Sequence, residues 1–534
     1  MNICTEIVEI LNDRDIVTAF GIPGIHNLPI YQALHKCGME TYTVRHEQSS
    51  SFMADGYARV SGTPALCSVI DGPGFLNAST GIAQARADSV PMVVLTPSGS
   101  EQPQGNPHEL CGQDEVSKRV CKAHFRVGLS TTRCDIENFV DSNLHLVRQG
   151  PIHIEIPLSM SQDELAPHEL PVQPGVQKES KSFGNIEAAN RLIHASKRPI
   201  IVAGGGAVDA QVEVQKFAER IDAPVLNTVN GKGMLPPNHA LRVGFSPSLP
   251  EINKELQESD LTIAIGTELS EIDFDFFMEG KSRNFQSLIR LDIESNQVKC
   301  NAIPDVAIVG DCKVTMPELA SAPTDRNGSA RAREMRQRAQ KSRYASQEML
   351  TFLEVLRQNS DVLVGDSTQP TYYATWLYEP AGVRQYFHSV TGFGTLGYAI
   401  PAAIGAKIAD RDNRVTSLIG DGGSHFTISE IQSATQFGLG IPFVIWNNQC
   451  YGEINKAMCV QSSEVWYESP TPPNFRFLAD AYGAKYCRPS NFSELSDLLE
   501  ESHKRNSPTL IEVSDEEFPE VHMTMNWFDS AGES

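Results

Sequence analysis

The residues best suited to chemistry lie between positions 414 and 452, in two polar segments separated by a predicted helix. The first segment is Gly420-Asp421-Gly422-Gly423, and the second is Asn447-Asn448. Glycines let backbone amides approach an anion closely, and the start of a helix favours a phosphate. The carboxylate of Asp421 and the amide oxygen of Asn448 are hard ligands of the kind that Mg2+ binds together with phosphate oxygens. The two segments therefore predict a cradle for a metal ion and a diphosphate.

The pattern around these segments explains why they would meet. Residues 415–419 and 442–446 are apolar runs typical of buried strands, and 427–437 has the apolar spacing of a helix. A right-handed strand, helix, strand crossover makes the strands parallel, so both polar segments would leave at the carboxyl edge of one sheet, where ligands bind. The alternative is an ordinary α/β sheet with a glycine turn, because isolated glycine motifs are weak indicators.

A second carboxylate is predicted at a strand-to-helix junction near the N-terminus. Residues 41–45 have the composition of a strand, and a helix is expected to open at His46-Glu47-Gln48. Glu47 is then either an active-site acid or a water-exposed carboxylate that complements the helix dipole. The residues alone leave both alternatives open.

Composition excludes several classes of protein. The chain has 534 residues, which suggests about three domains. Its net charge of −22 opposes nucleic-acid binding. No apolar run reaches the roughly 18 residues of a membrane helix, and the acidic N-terminal segment does not resemble an export signal. Eleven scattered cysteines without a CxxC motif favour reduced thiols, so we expect a cytoplasmic protein.

Two polar linkers, 172–182 and 320–342, divide the chain. We expect three domains, 1–168, 183–322 and 345–534, each a mostly parallel, doubly wound α/β sheet flanked by helices. The second linker contains an arginine-rich helical segment, which is expected to present a solvated face. We also expect an acidic cluster in the central domain to be surface charge; its members are Glu268, Glu271, Asp273 and Asp275.

Segments along nearly the whole chain resemble the thiamin-diphosphate-dependent superfamily of acetohydroxyacid synthases and 2-oxo acid decarboxylases. They include FGIPG, RHEQSSSFMADGYAR, DGPGFLNASTGIAQARADSVPMVV and GPIHIEIP, then NTVNGKGMLP and LTIAIG, then HSVTGFGTLGYAIPAAIGA and the GDG and NN segments. GIPGIHNLPIY, HELCGQ and GTELSEIDF look most like the 5-guanidino-2-oxopentanoate decarboxylase branch. The resemblance implies a pyrimidine-binding (PYR) domain at 1–168, a central domain at 183–322 and a diphosphate-binding (PP) domain at 345–534.

The resemblance implies thiamin diphosphate and Mg2+ as cofactors, and it assigns residues to them. Mg2+ would be bound by Asp421, Asn448 and the backbone carbonyl of Cys450. Glu47 would hydrogen-bond N1' of the aminopyrimidine. Leu396 would bend the two cofactor rings together, although an ordinary core leucine is the alternative. The implied cofactor-binding residues are Glu47, Ser367, Thr368, Gly394, Leu396, Gly420, Asp421, Gly422, Gly423 and Asn448.

The substrate side is implied less directly. By resemblance, Ile25 and His26 would face the reacting carbon, and Gln113 would lie near the substrate. His26 and Gln113 would then act with Glu47 as catalytic residues. A histidine satisfied by hydrogen bonds in a turn is an equally good interpretation of His26.

Bound flavin in the central domain is doubtful. Counted from Gly204, the dinucleotide fingerprint fails because Asp209 stands at the third glycine position. Flavin-bearing relatives commonly have an arginine where this chain has Glu268. A spacer domain without a ligand is the alternative.

The favoured function is non-oxidative decarboxylation of a 2-oxo acid to an aldehyde through a C2 ylide and an enamine. Carboligation of two 2-oxo acids, as in acetolactate synthase, is the first alternative, and a non-catalytic cofactor-binding paralogue is the second. Glu47 and the cradle lie in different expected domains, and the family pairs these domains from two subunits. The resemblance therefore implies a homodimer or a dimer of dimers, with a small 2-oxo acid as substrate and no nucleic-acid or membrane partner.

Overall fold

The structure, a computed structural model, describes residues 2–99, 105, 107–144, 149–167, 185–275, 283–319, 326–342, 345–462, 464–514 and 517–518. It contains three parallel sheets flanked by helices, one after another along the chain. The predicted fold class is therefore confirmed. Within the described ranges, no helix has both the length and the apolar character needed to cross a membrane.

The first sheet has six parallel strands in the order β2-β1-β3-β4-β6-β5. Apolar cores cover both of its faces. Its strands are β1 Thr18–Gly21, β2 Glu40–Thr43, β3 Ala65–Ser68, β4 Met92–Ser98, β5 Ala123–Arg126 and β6 Pro151–Pro157. Its helices are α1 Ile3–Asn12, α2 Leu28–Lys36, α3 Glu47–Ser61, α4 Pro73–Ala87, α5 Gln113–Val120 and α6 Arg133–Leu144.

The central sheet has five parallel strands in the order β11-β10-β9-β7-β8. Its strands are β7 Pro199–Ala203, β8 Val225–Asn227, β9 Leu261–Ile265, β10 Leu288–Asp292 and β11 Val306–Val309. Its helices are α7 Ile186–Ala195, α8 Gln211–Ile221, α9 Pro250–Glu258, α10 Glu271–Phe274 and α11 Cys312–Thr315, and α12 Gly328–Ala339 follows it.

The third sheet repeats the topology of the first, with six parallel strands in the order β13-β12-β14-β15-β17-β16. Its strands are β12 Val362–Gly365, β13 Tyr386–His388, β14 Val415–Gly420, β15 Pro442–Asn447, β16 Lys485–Cys487 and β17 Thr509–Ser514. Its helices are α13 Gln347–Asn359, α14 Gln369–Leu377, α15 Ala399–Ala409, α16 Asp421–Ser424, α17 Ile431–Gln436, α18 Gly452–Ser462, α19 Phe475–Tyr482 and α20 Phe492–His503. The helix predicted over 427–437 is a 3-10 turn, Ile428–Glu430, that continues into α17.

Helices α3 and α15 join the first and third sheets by close antiparallel packing. A Cβ added to Gly405 would lie 1.9 Å from the carbonyl oxygen of Met53, and one added to Gly56 would lie 2.0 Å from that of Ala402. No larger residue fits at either glycine unless a backbone moves. The two helices therefore fix how the first and third sheets sit relative to each other.

Two predictions of exposed charge hold for only part of each group, since Arg333 and Glu271 are exposed but other members are buried. Arg331, in the arginine-rich helix α12, is only 7% exposed, because its Nε donates to Oε1 of Glu255 on α9 at 2.9 Å. Asp273 and Asp275 are also buried. Burial raises the pKa of Asp273 to about 6, while hydrogen bonds from the Val229 backbone and the Ser270 hydroxyl oppose this rise.

Candidate active site

The residues of the predicted cradle lie together at the carboxyl edge of the third sheet, which we call the PP edge. Strands β12, β14 and β15 are adjacent, with Gly420 opposite Trp446 in the register of β14 and β15. The segments that follow these strands begin at Asp366, Asp421 and Asn448. The sheet therefore brings together residues that are far apart in sequence, as the strand, helix, strand pattern predicts.

Glycines keep the loops of the PP edge in contact. A Cβ on Gly420 would lie 3.0 Å from Oγ1 of Thr368, and one on Gly422 would lie 2.5 Å from the ring of Tyr451. A Cβ on Gly423 would lie 3.0 Å from a carboxylate oxygen of Asp366. Close approach, rather than an unusual backbone conformation, is the reason for glycine at these positions.

Asp421 is a buried carboxylate held by backbone amides. Burial raises its pKa to about 6, and hydrogen bonds from the backbone amides of Gly422 and Asn448 limit that rise. A cation beside it would favour the ionised carboxylate for the same electrostatic reason. The position therefore suits a metal ligand.

The side-chain amide of Asn448 faces two oxygens, the carbonyl oxygen of Cys450 and Oδ1 of Asp421. In the first orientation, the amide oxygen points at both of these oxygens. In the second, the amide is rotated by half a turn, and its nitrogen would donate to Cys450 at 2.8 Å and to Asp421 at 3.3 Å. Adjacent ligands around an octahedral Mg2+ ion are separated by about 2.9 Å, as follows from metal–oxygen distances of about 2.0–2.1 Å. In the first orientation, the three oxygens therefore converge as a cation site requires, and these residues fit Mg2+.

The other predicted cofactor residues border the same edge. Thr368 is buried beside Gly420, and the hydroxyl of Ser367 lies 3.4 Å from that of Ser389. Gly394 has a φ of +72°, which favours glycine, and open space where a side chain would be. Leu396 is half-buried and belongs to none of the four hydrophobic cores, so it is not an ordinary core leucine.

Asp366 is a residue of this edge to which the sequence analysis gave no role. Its buried carboxylate accepts hydrogen bonds from the backbone amides of Ala399, at 2.9 Å, and Ser367, also at 2.9 Å. Burial raises its pKa to about 6. It ties the end of β12 to the start of α15, so it supports the loop that carries Gly394 and Leu396. Its position directly after a predicted buried strand could have identified it from the sequence.

The carboxyl edge of the first sheet, which we call the PYR edge, carries a different set of side chains. Strands β1, β2 and β3 are neighbours and are followed by His26, Glu47 and Asp71. Glu47 is the first residue of α3, as predicted, and its Oε2 accepts a hydrogen bond from Asn77 at 3.0 Å. The carboxyl group is therefore oriented by a side chain of α4.

His26 is paired with Asp71, which the sequence analysis did not single out. Nδ1 of His26 lies 2.8 Å from Oδ1 of Asp71, and the Asp71 side chain is only 2% exposed. A carboxylate beside Nδ1 selects the tautomer that carries its proton there, which leaves Nε2 for another partner. Ile25, the preceding residue, is 85% exposed.

Gln113 is buried against the loop that follows β3. It is 4% exposed, and its Oε1 accepts a hydrogen bond from the backbone of Gly72 at 3.0 Å. Its Nε2 donates to Thr96 and to the carbonyl of Pro97, both at 3.2 Å. Since both N–H donors are used within the domain, the structure places Gln113 as a support for the loop after β3.

Within one chain, Glu47 and the cradle lie at opposite ends of the α3–α15 pair. The cradle end is marked by Asp366, which binds the first residue of α15. The other end is marked by Arg411, just beyond α15, whose guanidinium contacts Tyr42, a residue of the strand that leads to Glu47. Helix α15 has 11 residues, about 16 Å in length. One copy of the chain therefore does not bring the two edges together.

Comparison with known proteins agrees with this geometry. Three family models match: the thiamine pyrophosphate enzyme N-terminal TPP binding domain over residues 1–117, the central domain over 186–319, and the C-terminal TPP binding domain over 366–513. This chain belongs to the thiamine pyrophosphate enzyme family. The family resemblance and the thiamin diphosphate requirement predicted from sequence are thereby confirmed.

Similar proteins in this family are of two kinds. The chain is 33% identical to a probable 2-ketoarginine decarboxylase, AruI, of Pseudomonas aeruginosa, over 95% of this chain and 93% of that protein. It is 28% identical to a probable acetolactate synthase large subunit of Methanococcus aeolicus, over 96% and 92%, and to the acetolactate synthase isozyme 1 large subunit of Escherichia coli, over 95% and 92%. The chain is therefore a thiamin-diphosphate-dependent enzyme of decarboxylase or synthase type. These relatives give no support to a non-catalytic paralogue.

The central domain of this family member has a glycine turn whose amides are already engaged. The amide of Gly204 donates to the carbonyl of Ile265, and that of Gly206 donates to the carbonyl of Gly266, both at 2.9 Å. The guanidinium of Arg290 donates to the carbonyl of Thr267 at 2.7 Å, which fills the same end of the sheet. These two amides are therefore used in contacts within the domain.

Proposed function

We propose that this enzyme uses thiamin diphosphate and Mg2+ to decarboxylate a 2-oxo acid to an aldehyde without oxidation. The observation that carries the choice is the His26–Asp71 pair at the PYR edge. An imidazole whose Nδ1–H is held by a carboxylate can take up a proton at Nε2 and deliver it. Aldehyde formation requires such a proton at the carbon that lost CO2, whereas ligation forms a carbon–carbon bond at that carbon. The similarity to a probable 2-ketoarginine decarboxylase supports the same choice and makes 2-ketoarginine the first substrate to test.

In this proposal, the PP edge holds the charged end of the cofactor. Asp421, Asn448 and the carbonyl of Cys450 bind Mg2+, while Ser367 and Thr368 donate to the diphosphate. The close packing of the glycine loop supports this arrangement, because it keeps the segments that follow β12, β14 and β15 in contact. Gly420, Gly422 and Gly423 shape that loop.

The PYR edge and the Gly394 loop serve the reacting end. Thiamin diphosphate supplies the carbon that bonds the substrate and takes up the electrons left when CO2 departs. Glu47 holds a proton at N1' of the aminopyrimidine, and Asn77 orients its carboxyl group. The carbonyl of Gly394 would accept a hydrogen bond from the 4'-amino group, and Leu396 would pack against the cofactor rings. Beside them, Ile25 forms part of the substrate wall, and we propose no direct substrate contact for Gln113.

We infer a homodimer, or a dimer of dimers, as the working enzyme. The separation of Glu47 from the cradle within one chain supports this, since a second copy is needed to complete each site. Exposed apolar side chains near both edges also support it, because a partner would remove them from water. They are Ile25 at 85%, Leu76 at 46%, Phe393 at 58% and Phe426 at 51% exposure.

Domain boundaries at 1–168, 183–322 and 345–534 are also proposed, although 168–184, 320–325, 343–344 and 519–534 lie outside the described residues. We propose a cytoplasmic location, which the eleven cysteines support because none forms a disulfide. The net charge of −22 is consistent with a small-molecule substrate rather than nucleic acid.

The proposal is tested with the purified enzyme and a panel of 2-oxo acids, including 2-ketoarginine and pyruvate. CO2, free aldehyde and hydroxy-oxo acid products are measured with and without thiamin diphosphate and Mg2+. We expect one aldehyde per CO2, and only with both cofactors. A ligated product formed in place of aldehyde would establish the synthase alternative, which the 28% identical relatives favour.

A further inference from the structure

Gln369 and Glu453 lie behind Asn448, on the side of its amide away from Asp421. Gln369 is the first residue of α14, and Glu453 is the second residue of α18. Gln369 is buried, and the side chain of Glu453 is 15% exposed. Neither residue is a proposed metal ligand, and neither was singled out from the sequence.

The three side chains form one directed chain of hydrogen bonds. Nδ2 of Asn448 lies 3.5 Å from Oε1 of Gln369, and Nε2 of Gln369 donates to Oε1 of Glu453 at 2.7 Å. Because a carboxylate only accepts, Glu453 fixes the amide of Gln369 with its nitrogen toward α18 and its oxygen toward Asn448. That oxygen in turn favours the Asn448 orientation in which the nitrogen points backward and the oxygen points toward Asp421.

The surroundings of these residues preserve the contact. A Cβ on Gly452 would lie 2.7 Å from Nδ2 of Asn448 and 3.2 Å from Nε2 of Gln369, so a larger residue would push them apart. Lys456 lies 3.3 Å from Oε1 of Glu453 and compensates its charge. Oε1 of Glu453 therefore contacts both Gln369 and Lys456.

The opposite orientation of Asn448 competes with this arrangement. Turned over, the amide donates to Cys450 at 2.8 Å and to Asp421 at 3.3 Å, both shorter than the 3.5 Å contact to Gln369. In that orientation two N–H groups occupy the position where the cation would bind. In the cation-competent orientation, the backbone N–H of Cys450 donates to the Asn448 oxygen at 3.4 Å, which is longer than either contact of the opposite orientation. The contact with Gln369 adds to it on the other side of the amide.

We propose that Gln369, held by Glu453, is a positioning residue that keeps the Asn448 oxygen turned toward the cation. This inference rests on the proposed function, since it places a divalent ion at Asp421, Asn448 and Cys450. It assigns part of the cation affinity to two residues that never touch the ion. Residues that orient metal ligands typically contribute about 10- to 100-fold to metal affinity.

The experiment measures Mn2+ binding by the full chain in the presence of thiamin diphosphate, using the EPR signal of free Mn2+. Gln369→Met removes the acceptor without changing the charge. The double exchange Gln369→Glu with Glu453→Gln restores the hydrogen bonds with the two side chains swapped. The carboxylate at position 369 then accepts from Asn448 and also from the amide at position 453. The matched control is Gln358→Met, whose wild-type Nε2 donates to Glu354 at the same distance of 2.7 Å on the exposed side of α13.

We expect Gln369→Met to weaken Mn2+ binding about 10- to 100-fold, with the control unchanged. The double exchange is expected to recover at least half of that loss on a logarithmic scale. Circular dichroism and thermal unfolding establish that each variant is folded. Should Gln369→Met fail to fold, Gln369→Ala replaces it, because it also removes the acceptor without changing the charge, and it is judged by the same comparison with the control and the double exchange.

Mn2+ binding by Gln369→Met equal to that of the control would overturn the inference, and so would a double exchange that binds no more tightly than Gln369→Met. Failure of the wild-type chain to bind Mn2+ with thiamin diphosphate is a different result, since it would contradict the proposed function itself. The two failures are therefore distinguishable in one set of titrations.

Discussion

The PYR and PP edges sit on sheets of the same topology and carry different chemistry. Both sheets are parallel, six-stranded and ordered alike. At the PP edge, glycine loops, Asp421 and Asn448 form the proposed site for a cation and a diphosphate. At the PYR edge, Glu47 and the His26–Asp71 pair are the proposed acids and bases. The fold therefore places ligands at strand ends, while the segments after each strand determine which ligand and which role.

The difference predicts that cofactor retention and proton chemistry can be separated by mutation. Variants of the PP edge should lose the cation and the cofactor together. Variants of the PYR edge should keep both and lose turnover. The predictions below run from the largest expected effect to the smallest.

Asp421→Asn should give the largest loss. It removes the only charged ligand proposed for the cation, so Mn2+ binding with thiamin diphosphate should weaken by more than about 100-fold, beyond the range for residues that only support ligands. Turnover should fall to background. Isothermal titration and the aldehyde assay measure both quantities. Mn2+ binding equal to that of the wild type would contradict the proposal that the PP edge binds the cation.

Glu47→Gln should leave Mn2+ and thiamin diphosphate binding intact, because the residue lies outside the cradle. Turnover should fall by about 10²- to 10⁴-fold, the usual contribution of a positioned acid or base. Steady-state kinetics at saturating cofactor measures this loss of turnover. Turnover equal to that of the wild type would mean that the PYR edge does not supply the acid.

Gly405→Ala tests the packing that holds the two edges apart in one chain. The added Cβ would lie 1.9 Å from the carbonyl oxygen of Met53, so α3 and α15 must separate. We expect a loss of about 1–3 kcal/mol in the free energy of unfolding, as is usual for overpacking. Gly128→Ala, whose nearest neighbour is 3.9 Å away, is the control and should change little in urea unfolding. Equal stability of the two variants would show that the helices tolerate separation.

The first and third sheets each bury a neutral histidine, which predicts a shared acid sensitivity. Burial lowers the pKa of His153 to about 3, and that of His388 to about 3 as well. The unfolded chain, with histidine pKa near about 6.5, binds these protons first, so stability is complete above about pH 6.5 and decreases as pH falls toward about 3.

Urea unfolding between about pH 7.5 and 5.5 measures this slope. Removing one titrating group with His153→Gln should flatten it by up to about 1.4 kcal/mol per pH unit. An unchanged slope in the variant would show that His153 does not contribute.

The parts of the site that are local in sequence were predictable. The cradle lies within one strand, helix, strand unit, so its spacing already places Asp421 beside Asn448. The parts that depend on distant contacts were not predictable. Asp71 meets His26 across 45 residues, and Glu453 meets Gln369 across 84. Neither pair has a periodic or spacing signal.

Burial explains the predictions that were wrong. Arginine-rich helices are usually solvated, but α12 packs on α9, where Arg331 meets Glu255 across 76 residues. Asp273 and Asp275 are likewise buried, although the sequence predicted surface charge there. Such outcomes are decided by which helix covers which sheet, and a single sequence does not specify this.

The central claim, that one site needs the PYR edge of one copy and the PP edge of another, is tested most directly by combining two inactive variants. Chains carrying Glu47→Gln and chains carrying Asp421→Asn are co-expressed with different tags, and mixed dimers are purified through both tags in turn. Each mixed dimer has one site with both substitutions and one intact site, so we expect about half of wild-type activity. Mixed dimers no more active than either parent would contradict the account.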